Sequence, residues 1–412
     1  MSSSRLLQFI VASLLGLLLG AGAAQSKSSS NWVTTWAAAP ASAGPPLGPQ
    51  TIRQVVRTSI GGSSLRIRLS NLFGTAPVTF GPVHVAVHAA GSAIRPETDH
   101  AVTFGGKSTV TVKKGADVVS DPVAMPVTAL QELAVSVYLP ARTGASTVHE
   151  MGMQTAYLAV SGDHTGDASL AADETAASRY FLTDVEVTAA PGAAAVVAFG
   201  DSITDGYGST RDKSARWPDY LAARLQADPS LAAVAVVNAG ISGNRLLNDG
   251  AGPRALSRFE RDALDKPGVR LVVLLEGIND IGQSTTPATS RDDVSAAQII
   301  DAMKSLISRA HAKGVKIWGA TLTPFGGVPW PYHSPAGEDK RREVNAWIRS
   351  SGAFDAVVDF DVATRDNGAM DRFLPAFDSG DHLHPDDAGY QGMAAAIDLG
   401  LLRRVVQGGK GG

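Results

Sequence analysis

Two rhythms of apolar and polar residues divide the chain. From Asn31 to about Ala189 the runs are short and alternate: LRIRLSN at 65–71, VHVAVH at 83–88, STVTVKK at 108–114 and ELAVSVYLP at 132–140. Period-two alternation, broken by Gly, Pro and Ser, predicts antiparallel strands with one buried face. Their regular spacing predicts a sandwich or jelly roll. After TAAPGAAA (188–195) the rhythm changes. AVVAF (195–199), AAVAVVNAG (232–240) and RLVVLLEG (270–277) are continuous apolar runs. Between and after them come segments of helical spacing: WPDYLAARLQA (217–227) and VSAAQIIDAMKSLISRAHAKG (294–314), the latter ending at Gly314, a favoured residue just past a helix end. VKIWGATLTP, a helix near 337–350, AVVDF and a last helix near 388–402 complete the series. Apolar strands alternating with helices predict a parallel sheet covered on both faces. The chain therefore divides into a β-rich domain over 31–190 and an α/β domain over 191–405.

The first residues follow a third pattern. Arg5 precedes LLQFIVASLLGLLLG and then the small residues AGAAQS. A charged start, an apolar middle and a small-residue cleavage site form a secretory signal peptide over 1–24, cleaved after Ala23 or Ala24. The apolar run is shorter than the ~20 residues a spanning helix needs. Secretion, extracellular or periplasmic, is the expectation, with no stable membrane insertion once the signal is removed. The net charge of −3 marks no nucleic-acid partner, and the run KRR at 340–342 reads as a solvated helix face. The chain has no cysteine, which removes thiol catalysis and Cys-ligated zinc. Its 412 residues are enough to build a core without disulfides.

In parallel sheets, ligands bind outside the carboxyl ends of the strands. Chemistry gathers at those positions here. GDS with Ser202 follows AVVAF, ISGN with Gly243 and Asn244 follows AVAVVNAG, and IND with Asn279 follows LVVLLEG. GDHLHPDD, with Asp381, His382 and His384, precedes the last helix. A serine hydroxyl needs a base to take its proton, and an imidazole is suited because its pKa lies near neutrality. The imidazole in turn needs a carboxylate to fix its tautomer. Asp381 and His384 can supply that pair from one loop. The N–H groups of Ser202 and Gly243 and the Asn279 amide can supply donors to an oxyanion.

FGDSITDG, NAGISGN, GIND and DHLHP resemble, in that order, the four sequence blocks of the SGNH (GDSL-type) hydrolases. The resemblance covers 195–402. It implies a flavodoxin-like α/β/α fold and ester hydrolysis without a cofactor. It also implies Ser202 as nucleophile, Gly243 and Asn279 as oxyanion donors, and His384 as base oriented by Asp381. The first half resembles the jelly-roll-like N-terminal domain of some two-domain secreted members. The G-x-S-x-G elbow of α/β-hydrolases does not fit, because residue 204 is threonine.

Blander readings stand beside these. GDS alone is also a turn or helix cap. Gly240 competes with Gly243 as donor, and the family spacing favours Gly243. Asn279 can be a turn residue with Asp280 capping a helix. His382 and His384 would share one face of an extended segment, as metal ligands do, but no further ligand motif completes a set, so no metal is expected. His382 is read as structural. Asn244 caps or orients its loop and is a candidate for the substrate cleft. Trp330 and Tyr332 in GGVPWPYH (326–333) are candidates for its walls. The partner expected is a small-molecule or polysaccharide ester. A lipid acylhydrolase, a metal-dependent hydrolase and a non-catalytic glycan-binding protein are the rivals.

Overall fold

The alternating runs pair into antiparallel sheets. One four-stranded sheet runs in the order Trp32–Ala37, Leu182–Thr188, Leu65–Ser70, Asp117–Val119. A seven-stranded sheet has Gln50–Arg57 and Glu132–Leu139 at its centre, flanked by Ala156–Ala159 and Val83–Ala90. A three-stranded sheet holds Ala145–His149 between Ser42–Pro46 and Arg179–Tyr180. The computed structural model describes residues 31–285 and 292–407, so the leader expected over 1–24 lies outside the described residues.

Two expectations about this half are corrected. The run at 108–114 shortens to the strand Val110–Val112, paired with Val78–Phe80. The central strands are also not one-faced, since Gln50–Arg57 is buried through seven of its eight residues. Arg53 explains how a charged side chain lies inside. Its guanidinium donates to Ser136 Oγ at 2.7 Å and to the carbonyls of Ser92 and Asp167 at 2.7 and 2.8 Å. A buried cation whose donors all find acceptors avoids most of the desolvation penalty.

The continuous apolar runs form a five-stranded parallel sheet. Its strands are β1 (Ala194–Gly200), β2 (Val234–Gly240), β3 (Val269–Leu275), β4 (Lys316–Ala320) and β5 (Ala356–Val358), in the order β2-β1-β3-β4-β5. All seven residues of β1 are buried, as a central strand covered on both faces requires. The order reverses beside β1, and that topology opens a crevice outside the carboxyl ends of the strands. The helix predicted over 294–314 spans Ala296–Ala312, with Ser295 accepting from the Gln298 N–H and the Gln298 side chain returning to the cap.

The last predicted helix is two, Asp387–Ala395 and Leu399–Gln407. Asp398 accepts from the Leu401 N–H at 3.0 Å and starts a new helix where an unbroken one was expected. The run KRR is also not a uniformly solvated face. Arg341 turns inward, 2% exposed, and donates to Glu338 and Asp361 at 2.8 Å each.

The two halves share one apolar core. Strand Trp32–Ala37 lies against β2. The Thr34 N–H donates to Pro267 O at 3.0 Å, and the Val236 N–H donates to Ser59 Oγ at 3.1 Å. Lys266, just before β3, pairs with Asp184 of the β half, and both are buried. Lys266→Met would leave Asp184 buried without its paired ammonium, with Arg68 3.5 Å away and the charge of Arg261 compensating it in part. The substitution should lower stability by about 3 kcal/mol, measured by denaturant unfolding. An unchanged unfolding midpoint would refute the role assigned to this pair.

Candidate active site

The site begins where β1 ends. Gly200 is required there, because a Cβ would come within 2.2 Å of Leu275 O. Asp201 accepts from the Ile203 N–H at 3.0 Å and starts the single turn Ser202–Asp205. Ser202 is thereby fixed at the carboxyl edge of the sheet, 6% exposed. Its Oγ lies 2.8 Å from His384 Nε2, and His384 Nδ1 lies 2.6 Å from Asp381 Oδ2. Asp381 Oδ1 accepts from the N–H groups of Leu383 and His384 at 2.9 Å each. Partial burial alone would raise the Asp381 carboxyl. The hydrogen bond and charge of His384, with those two N–H groups, outweigh it and hold the carboxyl at about 2. An ionised carboxylate only accepts, so Nδ1 carries the ring proton and Nε2 faces the serine as an acceptor.

The second arm comes from β2 and β3. Gly243 follows β2 with φ +78°, a conformation suited to glycine. Asn279 lies in the short helix Ile278–Gly282 after β3. Its Nδ2 donates to Asn244 O at 3.0 Å, and its Oδ1 accepts from Tyr332 OH at 2.8 Å. Gln283 Nε2 bridges Gly243 O and Asn279 Oδ1 at 3.1 and 3.3 Å. Tyr332 OH and Gln283 Nε2 therefore fix which way the Asn279 amide points, its nitrogen toward the Gly243–Asn244 loop. Asp280 does not cap that helix. It accepts instead from the N–H groups of Leu246 and Leu247 at 2.7 and 3.1 Å.

Of the cleft candidates, Trp330 is 41% exposed. Asn244 and Tyr332 are not walls, because their polar groups bond inside the protein. Asn244 Nδ2 donates to Ala251 O and Pro253 O at 2.9 Å each, and its Oδ1 accepts from Arg258 Nε at 2.8 Å. Tyr332 is buried and supports Asn279 from behind. His382 has φ +63°, so the HLH segment is not extended. That twist turns His382 to Asp378, away from the carboxylate that His384 uses.

Two functional candidates escaped the sequence reading. Tyr207 is 42% exposed, and its ring centroid lies 4.4 Å from that of His384. Its place directly after the GDSITDG block was the available signal. Arg258 is buried and donates to Gly200 O at 2.8 Å and Ala239 O at 2.7 Å. An arginine in RALSRFERD reads as an exposed helix residue, so no signal marked it.

A cavity of about 310 Å³, lined by Arg68, Asp184 and Lys266 among others, lies away from this constellation. Lys266 precedes β3, so that cavity is at the opposite, amino-terminal edge of the sheet. A smaller one of about 100 Å³ adjoins the Gly243 loop at Ser242 and Ala251.

Residues 198–391 match the GDSL-like lipase/acylhydrolase family. No curated protein matches the chain. Among solved structures, the aryl esterase of M. smegmatis is 18% identical over 52% of this chain and 100% of its own, with a TM-score of 0.42. A GDSL-like lipase from Bacteroides thetaiotaomicron is 21% identical over 51% of this chain and 88% of its own, with a TM-score of 0.38. An acetylxylan esterase from Geobacillus stearothermophilus is 24% identical over 49% of this chain and 91% of its own, with a TM-score of 0.38.

Beneath the site lie carboxyl groups of the opposite character to Asp381. Burial pushes Asp201 up to about 7 and Asp280 to about 6, and pushes Glu276 well above its ordinary range. Unfolded carboxylates titrate near about 4, so between about pH 4 and 7 the folded protein holds protons that the unfolded chain releases. The contribution of Asp201 and Asp280 to stability is full below about pH 4 and is lost as pH rises through about 6 and 7. Asp381 has the other sign: its contribution is present above about pH 4 and is lost as pH falls toward 2. Asp201→Asn keeps the acceptor for the Ile203 N–H and removes the titration. It should flatten the fall in melting temperature from pH 4 to 7, and a slope equal to that of the wild type would contradict the assignment.

Proposed function

We propose that the protein, an ester-hydrolysing enzyme whose residues 198–391 match the GDSL-like lipase/acylhydrolase family, cleaves carboxylic esters through an acyl-enzyme on Ser202. The observation that carries this reading is the chain Ser202 Oγ, His384, Asp381, with links of 2.8 and 2.6 Å. His384 Nε2 takes the serine proton as Oγ attacks the ester carbonyl. Asp381 stabilises the imidazolium that forms. Charge developing on the carbonyl oxygen meets the N–H groups of Ser202 and Gly243 and the Asn279 amide, which are oriented before the reaction begins. His384 returns the proton to the departing alkoxide. It then activates the water that releases the acid.

The same reading includes export, supported by the residue pattern of 1–24. Among the described residues no helix is long and apolar enough to cross a membrane. A polysaccharide ester is the second reading, favoured by two exposed aromatic rings. Tyr207 adjoins the imidazole, and Trp330 lies 6.4 Å from Tyr332, which supports Asn279. Such rings offer the apolar faces on which a sugar packs.

The test is an ester panel, p-nitrophenyl acetate to palmitate plus acetylated xylan. Ser202→Ala should abolish turnover with an unchanged fold, and turnover like that of the wild type in that variant would sink the mechanism. Asn279→Ala should lower kcat by roughly 10²–10³.

A further inference from the structure

The β half reaches the hydrolytic half through a buried histidine. His149 ends strand Ala145–His149 and is 6% exposed. Its Nδ1 lies 2.9 Å from Ala39 O and its Nε2 lies 3.0 Å from Asp205 Oδ1. The other oxygen, Asp205 Oδ2, accepts from the Ser242 N–H at 3.0 Å and from Ser242 Oγ at 2.7 Å. Both Asp205 oxygens are thus acceptors, and so is the Ala39 carbonyl. An imidazole facing acceptors at both nitrogens must donate from both, which makes it an imidazolium. Burial opposes that cation, but the charge and hydrogen bond of Asp205 outweigh it and raise the His149 pKa.

Asp205 occupies a junction. It closes the single turn that begins at Ser202. The residue it binds, Ser242, directly precedes Gly243. It has no room to relocate: a Cβ at Gly240 would lie 2.3 Å from the Asp205 N. Ala39, Ala41 and Ile241 form a small apolar cluster across the same seam. The cavity of about 100 Å³ beside the loop is walled by both halves, by Ser42, Glu150 and Met151 on one side and by Ser242 and Ala251 on the other.

We propose that His149 is a positioning residue for ester hydrolysis: its imidazolium holds Asp205, and through it Ser242 and the Gly243 N–H, where the oxyanion forms. The inference rests on Gly243 being an oxyanion donor, as read above. The cation has two effects. It fixes the carboxylate that orients the loop, and together with the nearby charge of Arg216 it offsets a negative charge that would oppose the developing oxyanion. The β half is then a working part of the site.

The experiment uses the full chain with p-nitrophenyl acetate, reading kcat, KM and melting temperature. The variants are His149→Gln, Asp205→Asn, the two combined, Lys266→Met and Ser202→Ala. His149→Gln keeps an N–H donor for Asp205 but no charge, and should lower kcat by roughly 10²-fold with KM changed less than about twofold. Asp205→Asn, which serves if His149→Gln does not fold, should show the same split. The double variant should fall no further than the worse single one, because the two residues act as a unit. Lys266→Met disturbs the same junction far from Ser202 and should keep kcat while lowering the melting temperature. Wild-type kcat in both His149→Gln and Asp205→Asn would overturn the inference, as would a kcat loss shared equally by Lys266→Met. A wild type without ester turnover, or an active Ser202→Ala, would overturn the reading beneath it and this inference together.

Discussion

Arg258 fastens the carboxyl edge of the sheet. Its guanidinium donates to the last carbonyl of β1, to Ala239 near the end of β2 and to the Asn244 side chain. Its flat face lies 4.1 Å from the Phe199 ring centroid, and Asp262 stands 3.4 Å away as counter-charge. A guanidinium this deep is tolerated only while its donors are occupied, since leaving one unsatisfied carries the full desolvation penalty. That requirement fixes Gly200, Ala239 and Asn244 relative to one another. Ser202 is two residues beyond the first of them, and Gly243 adjoins the last. The spacing between Ser202 and Gly243 is thus set by a side chain that bonds to their neighbours.

The carboxyl groups around the site divide by environment. Asp381 sits in a loop rich in donors and stays ionised far into acid. Asp201, Glu276 and Asp280 sit under the sheet edge, where burial favours the neutral acid. One side-chain chemistry therefore provides a permanent charge behind the imidazole and a largely uncharged floor beneath the serine. Negative charge on that floor would oppose an oxyanion, so under the mechanism proposed above burial there serves the reaction as well as the packing.

The sequence made much of this legible, for identifiable reasons. Continuous apolar runs mean strands covered on both faces, and β1, β2 and β3 are such strands. Their ends are the positions from which Ser202, Gly243 and Asn279 come. The β half was legible as strands, but the second buried face of Gln50–Arg57 was not, because Arg53 reads as a solvent residue until the carbonyls around it are known. Tyr332 was placed near the cleft by its loop composition, yet only the fold shows it turned inward to Asn279. His149 and Asp205 stand 56 residues apart with nothing periodic linking them. Pairings of that kind are decided by how two halves dock, and no local pattern encodes them.

Strand Trp32–Ala37, the first of the β half, pairs with Leu182–Thr188, the last before β1. The β half thus closes beginning to end, and both its ends lie at the seam with the parallel sheet. A module fastened at its two ends, and between them at Ser59 and His149, can change length between those points without changing how it is attached. Loops of the β half that do not meet the seam can therefore be enlarged or trimmed, while those that do, such as Gly115–Asp117 beside Lys266, are held in place. The outer surface can then follow whatever the enzyme meets, and the edge that holds Ser202 is left undisturbed.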